Sequence, residues 1–150
     1  MSNGSPPLGD FVSKGWRRTY RTSGIVLGLI FGAVGLLFLL RPTWAVLFFN
    51  GYAQRWGMVE SPPPEASLYL ALAVAYMSLV TIFALGMYFR PEQRIYAQLL
   101  IQAKSASAVL SLLLCIVSGP QLILMSNGAV DGVIALAVAH LEFRGRKRKG

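Results

Sequence analysis

The sequence predicts an all-α integral membrane protein: a four-transmembrane-helix antiparallel bundle with an interfacial amphipathic helix between spans 1 and 2. Of its 150 residues, 55% are hydrophobic and only 13% are charged, and the mean hydropathy is +0.55. Soluble domains usually carry about 25% charged residues. The chain also contains four apolar stretches of roughly the 20 residues that a bilayer-spanning helix needs. Four spans leave little length for a soluble catalytic domain.

The first span is predicted at residues 23–40 (SGIVLGLIFGAVGLLFLL), after a basic cytoplasmic tail at residues 1–22. The span contains no ionisable residue and ends at Arg41-Pro42. Because no small-residue cleavage site follows promptly, we interpret it as a retained signal anchor. Small residues that recur every three or four positions allow another helix to approach closely. The sequence therefore predicts a helix-packing face, within the bundle or between subunits, formed by Gly24, Gly28, Gly32 and Gly35.

Residues 43–60 (TWAVLFFNGYAQRWGMVE) are too polar and too rich in aromatic side chains to span a bilayer. On a helical wheel, Asn50, Gln54 and Gly57 share one side. The opposite side carries Ala45, Phe48, Phe49, Tyr52, Trp56 and Val59. This pattern is typical of an amphipathic helix that lies in the membrane interface. The alternative is an aromatic-rich loop.

Prolines and polar residues separate the remaining spans. Pro62-Pro63-Pro64 ends the interfacial segment, since proline cannot donate a helical hydrogen bond. Arg90–Arg94 (RPEQR) is a polar turn, and Gly119-Pro120 ends the third span. Ser126-Asn127-Gly128 interrupts the fourth. These three spans are predicted at about residues 66–89, 95–118 and 122–143. The membrane domain therefore covers residues 23–143, and a basic cytoplasmic tail follows at residues 144–150.

Positive charges are distributed unequally between the predicted loops. If both termini are cytoplasmic, eleven of the fourteen Lys and Arg residues lie on the cytoplasmic side, and only Arg41 and Arg55 lie outside. Cytoplasmic loops carry an excess of Lys and Arg. We therefore expect a multi-pass protein of the bacterial inner (cytoplasmic) membrane with N- and C-termini cytoplasmic. We expect no nucleic-acid partner, because the basic clusters flank apolar segments.

Several polar side chains fall inside spans three and four. Lys104 lies ten residues after Arg94, and Asp131 lies eleven residues before Glu142. At about 1.5 Å per residue, both charges lie about 15–16 Å from the same interface, near the midplane of the bilayer. A charge at that depth needs a partner. The sequence therefore predicts a Lys104–Asp131 pair, closed by the Tyr76 hydroxyl, in an intramembrane polar cluster with Ser107, Ser111 and Asn127.

Three interpretations of this pair are open at this point. The first is a proton or ion relay, or a polar ligand pocket. The second is a clamp that holds two helices together. In the third, Lys104 extends to the cytoplasmic headgroups while Asp131 lies near a membrane break at Ser126–Gly128. A water-filled cavity reaching Lys104 would favour transport, whereas a dry, paired lysine would favour a structural role.

Residue types needed for catalysis or metal binding are sparse. One cysteine (Cys115) and one histidine (His140) allow no zinc-ligand spacing and no pair of haem ligands. We therefore expect no catalytic residues, no cofactor and no metal. We expect a non-enzymatic accessory or assembly subunit of a larger membrane complex, or a homo-oligomer, with the lipid bilayer and other protein subunits as partners. The alternative is a small proton- or ion-coupled transporter that uses the Lys104–Asp131 pair.

Overall fold

The computed structural model describes residues 8–62 and 68–146, with side chains within 15–62 and 70–144. This part of the chain forms five helices: α1 (Leu8–Leu40), α2 (Pro42–Arg55), α3 (Leu68–Phe89), α4 (Ile95–Ser118) and α5 (Leu122–Arg146). All except α2 contain an apolar segment of 20 to 26 residues, which is long enough to cross a membrane. The predicted all-α, four-span fold is confirmed, and the chain is a multi-pass membrane protein.

Parts of the predicted domain boundaries lie outside the described residues. Residues 1–7 and 147–150 belong to the two predicted basic tails. Residues 63–67 include Pro63-Pro64 and the start of the predicted second span. The described part of that span begins at Leu68 and ends at Phe89, the predicted end.

Helix α1 begins at Leu8, well before residue 23, where the first span was predicted to start. No proline occurs between Leu8 and Ser23, so the backbone can continue as a helix. Two aromatic side chains of this segment also pack onto the bundle. The Trp16 indole Nε1 donates a hydrogen bond to the Leu141 carbonyl at 3.2 Å, and Tyr20 is completely buried. The basic segment therefore extends the helix instead of forming a separate tail.

Helix α5 is continuous from Leu122 to Arg146, so the predicted interruption at Ser126-Asn127-Gly128 is wrong. Gly128 faces α4, where a Cβ atom would lie 3.4 Å from the Ala108 carbonyl oxygen. The Asn127 amide donates to side chains of α4 and does not bond the backbone of its own helix. Both residues are therefore used for contact between the two helices.

The bundle consists of two closely packed antiparallel pairs, α1 with α3 and α4 with α5, joined through α3 and α4. The glycines of α1 lie at the first contact. A Cβ atom at Gly24 would lie 2.7 Å from the Ala84 carbonyl oxygen of α3, and one at Gly28 would lie 2.9 Å from Leu85 Cδ2. One at Gly35 would lie 3.0 Å from Met77 Cβ, whereas at Gly32 the nearest atom would be 3.8 Å away. The predicted glycine face thus packs within the bundle, against α3, with Gly32 at its loosest point.

The two ends of the bundle differ in charge. The start of α1, the end of α3, the start of α4 and the end of α5 lie together at one end of the bundle, which we call the basic end. An ion pair between Arg94 Nη1 and Glu142 Oε1, at 3.5 Å, joins α4 to α5 there. The described arginines of the basic end are Arg17, Arg18, Arg21, Arg90, Arg94, Arg144 and Arg146. The opposite end carries Arg41 and Arg55. This is the charge asymmetry that the sequence predicts.

Helix α2 lies at the opposite end, as predicted, and a short polar tie fixes the segment after it. The Asn50 side chain donates to the Ser61 carbonyl at 2.8 Å and accepts from the Ser61 backbone N–H at 2.9 Å. The Ser61 hydroxyl in turn donates to Gln121 Oε1 at 2.9 Å. Ala45 was predicted on the aromatic side but is buried, with Val46 and Ala53. The large exposed side chains of the helix and its end are Trp44, Leu47, Phe48, Tyr52 and Trp56, which suits an interfacial position.

Candidate functional site

The structure brings Lys104 and Asp131 into direct contact in the middle of the bundle. Lys104 Nζ donates to Asp131 Oδ1 at 2.7 Å, a short charge-assisted hydrogen bond between α4 and α5. Only 3% of the lysine side chain and 4% of the aspartate side chain are exposed. The interpretation in which Lys104 extends to the headgroups is therefore wrong. The membrane break that this interpretation expected near Asp131 is also absent, because α5 continues without interruption through Ser126–Gly128.

Two aromatic rings cover the ammonium group. Lys104 Nζ lies 4.4 Å from the centre of the Phe31 ring of α1 and 5.2 Å from the centre of the Tyr76 ring of α3. Cation–π contacts of this kind contribute about 0.5 to 2 kcal/mol, and more where water is excluded. Because Asp131 lies on α5, this one ammonium group contacts a side chain from each of the other three long helices.

The Tyr76 hydroxyl does not close the ion pair, contrary to the sequence-based prediction. It donates instead to the Ala103 carbonyl of α4 at 3.0 Å. Tyr76 and Lys104 lie at similar depths, so the tyrosine ring lies beside the ammonium group. The hydroxyl, at the far end of the ring, extends past the lysine to the α4 backbone. Tyr76 thus belongs to the cluster through its ring, and its hydroxyl joins α3 to α4.

The remaining predicted members form a second contact between α4 and α5. Asn127 Nδ2 donates to Ser111 Oγ at 2.8 Å and to Ser107 Oγ at 3.2 Å. Ser111 is buried, whereas Asn127 lies at the surface of the helix pair. All six predicted cluster residues therefore lie at or beside the contact of α4 with its neighbours. They form two adjacent groups, the ion pair and the amide–hydroxyl network.

The Lys104–Asp131 pair leaves one hydrogen-bond acceptor unused, the second carboxylate oxygen of Asp131. Asp131 Oδ2 is buried and has no hydrogen-bond partner among the residues the structure describes. Leaving such an acceptor without a partner in a low-dielectric interior is costly. The remaining groups are matched: the ammonium has one carboxylate oxygen and two ring faces. This arrangement can hold four helices in register.

Sequence analysis missed two features of the site. The first is that the Phe31 ring covers Lys104. The glycine spacing of α1 indicates one packing face, but it does not show that the neighbouring Phe31 side chain faces the centre of the bundle. Arg94 and Glu142 form a second interhelical pair at the basic end, where Glu142 is buried. Both residues lie where predicted spans meet the same interface, so the sequence does contain a signal for this second pair.

Within the described residues, no three His, Cys, Asp or Glu side chains come close enough to hold a metal ion. No protein family, curated protein or solved structure matches this chain.

Proposed function

We propose that this chain is a non-enzymatic accessory or assembly subunit of a larger complex of the bacterial inner membrane, or a homo-oligomer. The observation that supports this proposal is a row of polar side chains on the side of α4 that faces away from the bundle. Gln98, Gln102 and Ser105 recur at four- and three-residue intervals, which places them on one face of the helix. Gln102 and Ser105 are exposed.

These polar groups would lie deep in the membrane, and the described residues offer them no side-chain partner. Gln102 is the eighth residue after Arg94, so it lies about 12 Å along the helix from the basic end. Neither its amide nor the Ser105 hydroxyl has a side-chain hydrogen bond to any residue that the structure describes. An isolated bundle would expose these groups to lipid, where an unsatisfied amide is costly.

A second transmembrane helix would satisfy them. Interfaces between membrane helices are rich in small residues and in polar side chains that hydrogen-bond across the contact. The α4 face offers both, since Ala106 is exposed next to Ser105. A glutamine amide both donates and accepts, so the partner helix can belong to a second copy or to another subunit.

Replacing Gln102 with leucine should weaken this association. Interhelical polar contacts contribute about 0.6 to 2 kcal/mol, so we expect about 3- to 30-fold weaker assembly. The matched control is Gln102→Asn, which keeps an amide and should retain most of the association. The measurement is the mass of the protein in mild detergent, together with mass spectrometry of co-purifying subunits.

The same position distinguishes the two forms of the proposal. In a Cys115→Ala background, Gln102→Cys should form a disulfide-linked dimer across a symmetric contact of two copies. An accessory subunit should instead retain a defined partner that Gln102→Leu loses. A wild-type protein that is monomeric at 16.4 kDa and captures no subunit would contradict the proposal.

The proposed orientation has the basic end in the cytoplasm and α2 outside. In a Cys115→Ala background, Gly51→Cys in α2 should react with a membrane-impermeant maleimide in intact cells. Gly51 is exposed and has open space where a Cβ atom would lie. Gly145→Cys should react only after the cells are permeabilised. Labelling of Gly145→Cys from outside would reverse the orientation.

A carrier remains the second candidate function, and Asp131 Oδ2 is the observation that favours it. Ionisable side chains inside membrane spans mark proton and ion pathways in pumps and transporters, and an acceptor left open beside a buried ion pair is a place where a proton could bind. Against it, the lysine is sealed by two rings and is only 2% exposed. Purified protein in vesicles separates the two: a carrier should dissipate a proton gradient, and Asp131→Asn should abolish that flux.

A further inference from the structure

A cleft of about 490 Å³ opens at the basic end, between α1 and the end of α3. Three arginines of α1 line it, namely Arg17, Arg18 and Arg21. Tyr88 and Pro91 form the facing wall. All three arginine side chains are exposed, so their charged groups are accessible from the membrane surface.

No described acidic side chain forms an ion pair with the arginines of the cleft. The ion pairs among the described residues are Arg94–Glu142 and Lys104–Asp131, and neither involves these side chains. Arg21 lies over the face of the Tyr88 ring, with its guanidinium carbon 4.9 Å from the ring centre. This contact holds the guanidinium plane against α3 and leaves its N–H groups, which lie at the edge of the plane, free to bind an anion.

Phosphate is the anion that this arrangement suits best. Guanidinium groups bind phosphate oxygens through two parallel N–H donors, and several guanidinium groups together offset the desolvation of the anion. The Thr22 hydroxyl adds a neutral donor at the same wall of the cleft. The described lining of the cleft contains three positive charges and no carboxylate, so the charges repel one another and a bound anion would relieve that repulsion.

The position of the cleft identifies the source of the phosphate. Ile25 lines its inner side, one helical turn from Arg21 toward the middle of the membrane. Leu29 follows one turn further and is 67% exposed on the lipid side of the bundle. A molecule bound here would therefore have its anionic group among the arginines and an apolar part along Ile25 and Leu29, as a phospholipid does.

We propose that this cleft is a binding site for the phosphate headgroup of an anionic phospholipid. Basic pockets between transmembrane helices on the cytoplasmic side are suited to such headgroups. The lipid would join α1 to α3 at the basic end, next to the contact between Gly24 and Ala84. The site is separate from the α4 face on which the proposed subunit association depends.

The test measures lipid binding to the full chain in detergent by native mass spectrometry. Phosphatidylglycerol is the probe, phosphatidylcholine is the zwitterionic comparison, and inorganic phosphate is the competitor. The test variant is Arg18→Gln/Arg21→Gln. Its matched control, Arg90→Gln/Arg144→Gln, removes two exposed charges from the same end of the bundle but none from the cleft.

We expect phosphatidylglycerol to bind more tightly than phosphatidylcholine, and the test variant to weaken that binding about tenfold relative to the control. Equal weakening by both variants would mean that only the general surface charge attracts the lipid and would overturn the proposal. Displacement by inorganic phosphate at similar concentration would reject a lipid as the source. Unfolding temperatures of both variants should match that of the wild type. The variant Arg18→Lys/Arg21→Lys keeps both charges but loses the parallel N–H donors, so it should restore only part of the preference for phosphatidylglycerol. Full restoration would mean that charge alone determines binding and would overturn the role of the guanidinium groups.

Discussion

Replacing Lys104 with methionine should lower the free energy of unfolding by about 3–5 kcal/mol, because the Asp131 carboxylate would lose the one hydrogen-bond partner that it has among the described residues. Asp131→Leu should cost a similar amount, since the ammonium would keep only the faces of two aromatic rings. The measurement is unfolding of the purified protein in mixed micelles, followed by circular dichroism. These single changes carry the largest expected effects in the molecule.

The double variant Lys104→Met/Asp131→Leu is the control. Replacing both members of a buried pair with apolar groups of similar size is often close to neutral. We therefore expect most of the lost stability to return, so that the interaction energy approaches the sum of the two single losses. If the losses in the single variants simply add in the double variant, the two charges do not stabilise each other, and the observed contact has no energetic meaning.

The same three variants separate a clamp from a relay. A clamp needs only a stable contact between α4 and α5, so the double variant should restore assembly and every cellular phenotype together with folding. A relay needs a group that binds and releases a proton, so the double variant would fold yet lack function. The buried pair and the ring faces of Phe31 and Tyr76 favour the clamp.

The sequence was sufficient to predict the ion pair because depth in a membrane helix is a matter of counting. The rise per residue is nearly constant, and neighbouring spans run antiparallel, so two residues at equal distances from one interface must lie level. Counting does not give the rotation of each helix about its axis. For this reason Lys104 and Asp131 were predicted together, whereas the ring of Phe31 and the direction of the Tyr76 hydroxyl were not.

The start of α1 shows a different limit of the sequence. Hydropathy marks residue 23 as the beginning of the apolar span, but the helix already begins at Leu8. An α-helix satisfies its own backbone hydrogen bonds, so it can extend from lipid into the aqueous interface until a helix-breaking residue ends it. Here Trp16 and Tyr20 pack against the bundle and stabilise the basic extension. That packing depends on α5, which lies more than 100 residues away in the sequence.

The glycine spacing of α1 also left a question that only the structure answers. Small residues every fourth position predict a close helix contact but do not identify the other helix. The contact is with α3 of the same chain, and it is tightest near the basic end, at Gly24. The glycine face is therefore occupied within the chain, and the association proposed above would use another surface, the polar face of α4.

Gly24→Ala should consequently destabilise the protein, although alanine favours a helix over glycine by about 1 kcal/mol. The new Cβ atom would lie 2.7 Å from the Ala84 carbonyl oxygen and 2.9 Å from the Tyr88 backbone nitrogen. Both are backbone atoms of α3, so relief requires movement of the whole helix. Overpacking of this kind costs about 1–3 kcal/mol. The expected result is a lower midpoint of thermal unfolding in detergent.

Two other glycines of the same face provide graded controls. At Gly28 the close atom is the flexible end of the Leu85 side chain, which can rotate away, so the loss from Gly28→Ala should be smaller. At Gly32 the nearest atom lies 3.8 Å away, at ordinary van der Waals distance, so Gly32→Ala should be neutral or stabilising. The order of stability should be Gly32→Ala, then Gly28→Ala, then Gly24→Ala. If the three variants unfold at the same temperature, α1 does not pack on α3 through this face.

Because Tyr88 also forms the wall of the arginine cleft, a displaced α3 in Gly24→Ala should weaken phosphatidylglycerol binding as well, whereas Gly32→Ala should leave it unchanged.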